Sequence, residues 1–335
     1  MLKLRCEFRF LLNVFVLLLV CLLMIQCQSK KDKEPEFLFR ASLLVNENHT
    51  WYKGFEHLAD LLYERSKGRM KLEVYPSEQL SKEIEAIRLI QAEVIDMTTT
   101  GSVLSNWFEM AIFCELPFFM RDSIDMKKFI NSSIGQQMEK EMIQKTGLRP
   151  VAFFQRGERH LTSNRPIKHP DDLKGLIIRI PNVPAFVTAW STLGAKPTPM
   201  AFSEVFTSLQ QGTIEAQENP FALIKSAGFS EVQSYINLTG HVVSWSYPVI
   251  GEKQFQKLPK DLQTIFLEAA KDMQDFEHQL FQENEKSVQQ ELKKLGLTFI
   301  EVDKEAFLKK CEPGIYESLS PDMKTVYHQI KKILE

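Results

Sequence analysis

Apolar and polar positions alternate along most of the chain in two distinct periods. Short apolar runs rich in β-branched residues predict strands, and apolar residues recurring every three or four positions predict helices. The predicted strands lie within residues 37–45, 69–76, 95–102, 147–163, 176–181 and 213–220, and the predicted helices within 49–68, 81–94, 183–194, 199–212 and 259–296. Strands that alternate with helices of this length predict an α/β fold with parallel strands and crossover helices.

Helix boundaries and the long final helix add detail to this prediction. Ser81 is the predicted N-cap of the second helix, and Gly194 is the predicted end of the third. Residues 259–296 contain no proline or glycine, which predicts one helix of about 37 residues and roughly 55 Å. Because a chain of 335 residues suits two domains, we expect this helix to run across both of them.

The first 26 residues have the pattern of an export signal. Three basic residues precede the apolar stretch 10–25, and a charged run follows it. A retained membrane anchor is the alternative, but its apolar core would need about 20 residues. We therefore predict a signal peptide at residues 1–26 and a tether at residues 27–36.

Cys27, at the end of the apolar stretch, resembles the lipidated cysteine of bacterial lipoproteins. The match is imperfect, because Met24 and Gln26 replace the usual aliphatic and small residues before that cysteine. The exported chain is therefore expected in the periplasm or another extracytoplasmic space, with Cys27 as its candidate lipid anchor.

Charge, cysteine spacing and the absence of known motifs argue against several classes of function. The formal net charge of −2 argues against a nucleic-acid-binding protein and against a polybasic membrane-surface protein. Beyond Cys27 only Cys114 and Cys311 remain, nearly two hundred residues apart. That spacing fits no metal motif, and it favours two buried free thiols over a single disulfide. No phosphate-binding glycine loop, metal-ligand pair or nucleophile elbow is present, so we predict neither a catalytic residue nor a metal or cofactor.

Two arginines stand out as candidate anion-binding residues. Arg179 interrupts the apolar run "GLIIRIPN", and Arg159 lies near the end of another predicted strand. A guanidinium stays charged at ordinary pH, so its burial requires a partner, and its planar geometry suits bidentate binding of a carboxylate. The alternative is that each arginine pairs with a nearby aspartate or glutamate of the chain.

Several segments resemble the solute-binding subunits of tripartite ATP-independent periplasmic (TRAP) transporters. The most specific are "GERHLTSNRPI", "PDDLKGLIIRIPN" and "LGAKPTPMAFSEVFTSLQQGTIEAQENP", and the similarity extends over roughly residues 37–300. The resemblance implies a periplasmic-binding-protein-like fold, in which hinge strands and a long spanning helix join two α/β domains around a ligand cleft. Members of this family capture organic acids and deliver them to a membrane permease. A monomer is the simplest expectation for such a subunit.

The same resemblance implies a division of the chain. The first domain would contain residues 37–158 and about 242–258, and the second would contain residues 159–241 and about 297–335. Residues 259–296 would form the spanning helix.

The family's motifs also assign roles to individual residues. They imply that Arg179 binds the ligand carboxylate and that Arg159 is the second arginine of the site. The asparagine of "QENP" falls on Asn219, the residue after "RIP" is Asn182, and the aromatic of "MAFSEV" is Phe202. Trp245 is a candidate either for stacking on a ligand ring or for packing at the hinge. The hydroxyls of residues 98–102, Thr100 among them, are candidates for binding sugar hydroxyls.

Sequence differences from the sialic-acid-binding members of the family narrow the expected class of ligand. Gly101 stands where those proteins carry an acidic residue, and Leu44 lies near the position of their first-loop asparagine. We therefore favour a smaller sugar acid, a uronate or an aldonate. A C4-dicarboxylate, a 2-oxo acid or sialic acid remains an alternative ligand, and a sensor subunit that presents its ligand to a receptor remains an alternative function.

Overall fold

The computed structural model describes residues 34–335. The predicted signal peptide and Cys27 lie outside the described residues. Residues Phe37–Glu335 form one compact unit, and the proposed division of this unit into two domains stays a prediction. No helix between residues 34 and 335 is both long and apolar enough to cross a membrane.

Ten strands and eleven helices make up the described chain. The strands are β1 (Phe37–Ser42), β2 (Met70–Tyr75), β3 (Met97–Thr100), β4 (Leu148–Pro150), β5 (Phe154–Ser163), β6 (Ile177–Ile180), β7 (Lys196–Pro199), β8 (Ala216–Pro220), β9 (Tyr235–Gly251) and β10 (Thr298–Ile300). The helices are α1 (Thr50–Arg65), α2 (Glu83–Gln91), α3 (Ser123–Ile130), α4 (Ser133–Thr146), α5 (Pro184–Leu193), α6 (Val205–Gln210), α7 (Phe221–Ser226), α8 (Glu252–Gln256), α9 (Lys260–Lys294), α10 (Lys304–Ser318) and α11 (Pro321–Leu334).

The strands form one mixed sheet in the order β2-β1-β3-β9-β5-β8-β6-β7, with β4 and β10 also paired to β9. The pairs around β1 and β6 are parallel, as predicted. The centre of the sheet is antiparallel, because β9 runs against β3, β4 and β5, and β5 runs against β8. The expectation of purely parallel pairing was wrong there. Strand β9 is 17 residues long, so one end pairs with β3 and the other with β5.

Two predicted helix starts were wrong, and both errors concern the loops of the site. Lys82, not Ser81, is the N-cap of α2, because the Ser81 hydroxyl donates instead to the Ser42 hydroxyl at 3.3 Å. Helix α6 starts at Val205, and the preceding residues Phe202–Glu204 form a separate 3₁₀ turn. The predicted end at Gly194 is confirmed by its left-handed φ of 101°.

The long final helix is confirmed as α9, with 35 residues. It packs against α1, α7 and β5, so it contacts elements on either side of β9. Its buried face is apolar except for the side chains of Gln263 and Glu277. The two cysteines of the described chain, Cys114 and Cys311, are buried free thiols, as expected.

Glu277 is fully buried between α9 and α1. Thr50 Oγ1 donates to Glu277 Oε1 at 2.8 Å, and Oε2 has no partner among the described residues. Burial raises the pKa of the Glu277 carboxyl from 4.5 to about 8. The folded protein therefore holds a proton there that the unfolded chain releases above pH 4.5.

Glu277→Gln is expected to remove one source of pH-dependent instability. With a raised folded pKa, the contribution of Glu277 to stability is complete below pH 4.5 and is lost as pH rises towards 8. Since one pKa unit is worth about 1.4 kcal/mol, the variant should be more stable than wild type at pH 8 by about 1 kcal/mol or more. Urea unfolding at both ends of this pH window measures the difference. Glu283→Gln, an exposed change on the same helix, is the control. If wild type and Glu277→Gln lose equal stability between pH 4.5 and pH 8, the raised pKa of Glu277 is contradicted.

Candidate functional site

A cleft lies where the carboxyl ends of several strands meet. An outer cavity of about 180 Å³ and an inner cavity of about 30 Å³ share five lining residues: Glu83, Val103, Arg179, Pro181 and Phe202. Most of the segments that line them follow β1, β2, β3, β6 and β7, and others lie within β5 and β8. This is the edge at which α/β sheets bind ligands. A larger cavity of about 390 Å³ lies beside the start of α1, but neither candidate arginine lines it.

Arg179, at the third position of β6, projects into both cavities while remaining 4% exposed. Its Nε and Nη2 donate to the carbonyl oxygen of Met200 at 3.1 and 2.7 Å. No carboxylate of the described residues lies within ion-pair distance of Arg179. Burial lowers the pKa of its guanidinium to about 10, which leaves it charged at neutral pH. Arg179 is therefore an oriented, buried cation whose charge no residue of the described chain pairs with.

Arg159 has a different environment, because it forms a bidentate ion pair with Glu218. Its Nε and Nη2 donate to the two carboxylate oxygens at 2.5 and 2.7 Å, and both side chains are fully buried. His241 Nε2 lies 2.9 Å from the same carboxylate. Burial alone would raise the pKa of Glu218, but the charge of Arg159 outweighs it and lowers that pKa to about 2. The Nη1 of Arg159 has no hydrogen-bond partner in the described chain, and the residue lines the inner cavity.

A third arginine, Arg156, lines the same inner cavity. Its Nη1 donates to Glu115 Oε1 at 2.5 Å, and Glu115 also accepts from the hydroxyl of Ser244 at 3.0 Å. Positions 156 and 159 would face opposite sides of a regular strand. The pairing of β5 with β9 shifts register between Gln155 and Gly157, and this bulge turns Arg156 to the side of Arg159.

Glu83, at the first position of α2, lines both cavities. Burial raises the pKa of its carboxyl to about 7, against the opposing effect of the Arg156 charge, and the Thr100 hydroxyl lies beside it. A carboxyl of this kind accepts hydrogen bonds when ionised and donates one when protonated. Gly101 contributes no acidic group, and Glu83 supplies a carboxyl to the cleft from another element.

Three other residues singled out from the sequence lie at the cleft. Asn219, in β8, is buried and lines the inner cavity, with its Nδ2 donating to Gln217 Oε1 at 2.6 Å. Phe202 lines both cavities, with the Arg179 guanidinium 5.9 Å from its ring centre. Asn182 is exposed at the rim of the outer cavity, and its carbonyl oxygen accepts from Asn106 Nδ2 at 3.1 Å.

The structure does not bring Trp245 or Thr100 to the cavity surface. Trp245 is fully buried, with its ring centre 5.5 Å from that of Phe129, which fits a packing position. Thr100 is buried behind Glu83. Two neighbouring hydroxyls bond within the protein, since Thr98 donates to the Ser42 carbonyl at 2.7 Å and Ser102 donates to Glu115.

Sequence reasoning missed Arg156, Glu83 and Glu115. The strand bulge that turns Arg156 inwards depends on pairing with a strand about ninety residues away, although Gly157 in the left-handed region, φ 76°, is its local signature. An acidic residue in the first turn of a helix that follows a strand was the available signal for Glu83. Glu115 follows a 3₁₀ turn and carried no such signal.

Together these groups make a cleft suited to a small anion with hydroxyl groups. Three arginines and two ion-paired carboxylates, Glu115 and Glu218, leave one positive charge before Glu83 is counted. A single carboxylate on the bound molecule would neutralise it. Glu83 and Asn219 provide hydrogen-bonding groups for hydroxyls.

Comparison with known proteins gives concordant similarities. Residues 41–321 match the model of the bacterial extracellular solute-binding proteins, family 7. A TRAP periplasmic solute-binding protein of Roseobacter denitrificans, solved with bound L-galactonate, is 42% identical, with a TM-score of 0.87 over 89% of this chain and 99% of that one.

Two further relatives carry different ligand names. The 2,3-diketo-L-gulonate-binding periplasmic protein YiaO of Escherichia coli is 34% identical over 74% of this chain and 76% of its own length. The sialic acid-binding periplasmic protein SiaP of Vibrio cholerae is 32% identical over 78% of this chain and 82% of its own length. The similarity therefore extends over most of each chain, while the named ligands differ.

Proposed function

Because this chain belongs to the family of TRAP-transporter solute-binding proteins, we propose that the acid it captures is a sugar acid, an aldonate or a uronate. This proposal rests on the environment of Arg179. It is a buried guanidinium, fixed by a main-chain carbonyl, at the surface of the cleft and without a carboxylate partner among the described residues. A ligand carboxylate bound there would form a charge-assisted, bidentate contact shielded from water.

The charges of the cleft favour one carboxylate over two. A monocarboxylate balances the one positive charge that the cleft carries when Glu83 is protonated, whereas a C4-dicarboxylate would bring a second negative charge close to Glu83 and Glu115. Arg159 Nη1 and Asn219 would hold the carboxylate end together with Arg179. Arg156 and Glu83 would bind the hydroxyls further along the chain of the sugar acid.

Relatives of this chain support the same class of ligand. The Roseobacter denitrificans protein contains L-galactonate, and the Escherichia coli relative is named for 2,3-diketo-L-gulonate. Both molecules are hydroxylated or oxidised six-carbon acids with one carboxylate, which fits the charge of this cleft.

Family membership also implies the handling of the ligand after capture. Proteins of this family work with a membrane permease, and we propose that this chain delivers its sugar acid to one as a monomer and without chemical conversion. We further propose export directed by residues 1–26 and lipid attachment at Cys27. Mass spectrometry of the N-terminal peptide of the mature protein tests the lipid, and co-purification of a permease rather than a receptor separates transport from sensing.

A panel of ligands tests the proposed function. L-Galactonate or D-galacturonate at 100 times its dissociation constant is expected to add about 2.7 kcal/mol of stability, which raises the melting temperature by several degrees. Succinate, a 2-oxo acid and sialic acid at the same concentration are expected to give smaller shifts. A thermal-shift screen measures this. A larger shift with succinate than with either sugar acid would contradict the charge argument.

A further inference from the structure

Two contacts bridge the mouth of the outer cavity. The Lys82 ammonium pairs with the Glu204 carboxylate, and the Ser203 amide donates to Glu78 Oε2 at 3.2 Å. Glu78 and Lys82 belong to the segment that runs from the end of β2 into the first turn of α2, which we call the first wall (residues 76–84). Ser203 and Glu204 belong to the 3₁₀ turn after β7, part of the second wall (residues 199–204). The contacts thus join segments more than a hundred residues apart.

The bridging residues lie at or beside positions that face the cleft, and Glu78 and Lys82 themselves line the outer cavity. Lys82 directly precedes Glu83, and Glu204 lies two residues after Phe202; both Glu83 and Phe202 line the outer and inner cavities. Arg179 is held by the carbonyl of Met200, also in the second wall. The separation of the two walls therefore sets the width of the space between Glu83, Phe202 and Arg179.

Both members of the ion pair are about half exposed, so the pair alone contributes little to stability. The importance of the pair comes instead from its position between the two walls of the cavity. Separation of the walls widens the outer cavity that both of them line, and it breaks the ion pair and the Ser203–Glu78 hydrogen bond together. Each group also favours the charged form of the other: Glu204 raises the pKa of Lys82, and Lys82 lowers the pKa of Glu204.

We propose that Lys82 and Glu204 are positioning residues that hold the two walls together and so set the rate at which the bound acid leaves. The ligand part of this inference rests on the proposed function. The contact between the walls does not. Interface changes of this kind act mainly on dissociation rather than on association.

Charge reversal tests the pair. Lys82→Glu places a carboxylate opposite Glu204 and is expected to speed the dissociation of L-galactonate about 5-fold or more, with a smaller change in the association rate. The double variant Lys82→Glu/Glu204→Lys restores the ion pair in the opposite sense and is expected to return the rate to within about 2-fold of wild type. Stopped-flow fluorescence measures both rates. Lys257→Glu, which breaks the exposed pair with Glu93 away from the cleft, is the control and should change neither rate.

Hydrogen exchange at the Ser203 amide gives a readout that needs no ligand. Exchange should be faster in Lys82→Glu than in wild type and should slow again in the double variant. An unchanged dissociation rate and exchange rate in Lys82→Glu would overturn the inference, as would a double variant that behaves like the single one. If wild type binds no sugar acid, the proposed function fails, while hydrogen exchange still decides whether the pair holds the walls together.

Discussion

Arg179→Ala is expected to weaken the binding of L-galactonate by about 100-fold or more. The variant loses the buried cation that faces the cleft without a carboxylate partner, and truncating one member of a buried charge pair costs about 2–5 kcal/mol of binding. A 100-fold loss of affinity corresponds to about 2.7 kcal/mol. Isothermal titration calorimetry measures it directly.

The control for this variant is Arg65→Ala, which removes an exposed arginine paired with Asp272 far from the cleft. It should leave the affinity unchanged. Arg179→Ala should also unfold at nearly the same urea concentration as wild type, because its removal leaves no carboxylate buried without a partner. Unchanged affinity in a folded Arg179→Ala protein would reject Arg179 as the carboxylate-binding residue.

Arg159→Ala is expected to act chiefly on the fold. It leaves Glu218 fully buried without its bidentate partner, and breaking a buried ion pair in this way costs about 3–5 kcal/mol of unfolding free energy. Urea unfolding should show a large fall in the midpoint with little change in slope. The two arginine variants should therefore differ in stability: Arg159→Ala loses unfolding free energy as well as its contact with the ligand, whereas Arg179→Ala loses binding.

Removing the orphaned charge tests the reason for this loss. Arg159→Met combined with Glu218→Gln leaves no carboxylate at position 218, so it should recover a substantial part of the stability lost in Arg159→Ala. If Arg159→Ala unfolds at the wild-type urea concentration, or if the double variant recovers nothing, the ion pair with Glu218 does not have the structural role described here.

The elements that depend on local sequence were predictable from it. Gly194 ends α5 where the pattern places it, and the absence of proline and glycine from 259–296 identified the long helix α9. The antiparallel centre of the sheet was not predictable in this way, because it depends on the pairing of β9 with strands roughly 70 to 150 residues away. Apolar periodicity reports which face of a segment is buried but not the direction of its neighbour.

The residues of the candidate site likewise divide into those that sequence motifs identified and those whose positions depend on distant parts of the chain. Arg179, Asn219 and Phe202 were identified from motifs, and the structure brings them together at the cleft. The sequence left open whether each arginine binds a ligand or forms an ion pair within the chain. The position of Glu218 beside Arg159, which is seen only in the structure, distinguishes Arg159 from Arg179. Arg156 depends on a bulge, which a regular alternation of residues cannot foresee.

The main-chain hydrogen bonds that orient Arg179 have a consequence for how this cleft can diversify. Since Arg179 is anchored to the main-chain carbonyl oxygen of residue 200, a group that every amino acid supplies, the side chain at position 200 is free to change without releasing the guanidinium. Met200 is also part of the outer cavity. With Arg179 in its proposed role, substitutions at position 200 can reshape the space for the rest of the ligand without changing the contact with its carboxylate. Preference for chain length and hydroxyl pattern can then change independently of carboxylate binding.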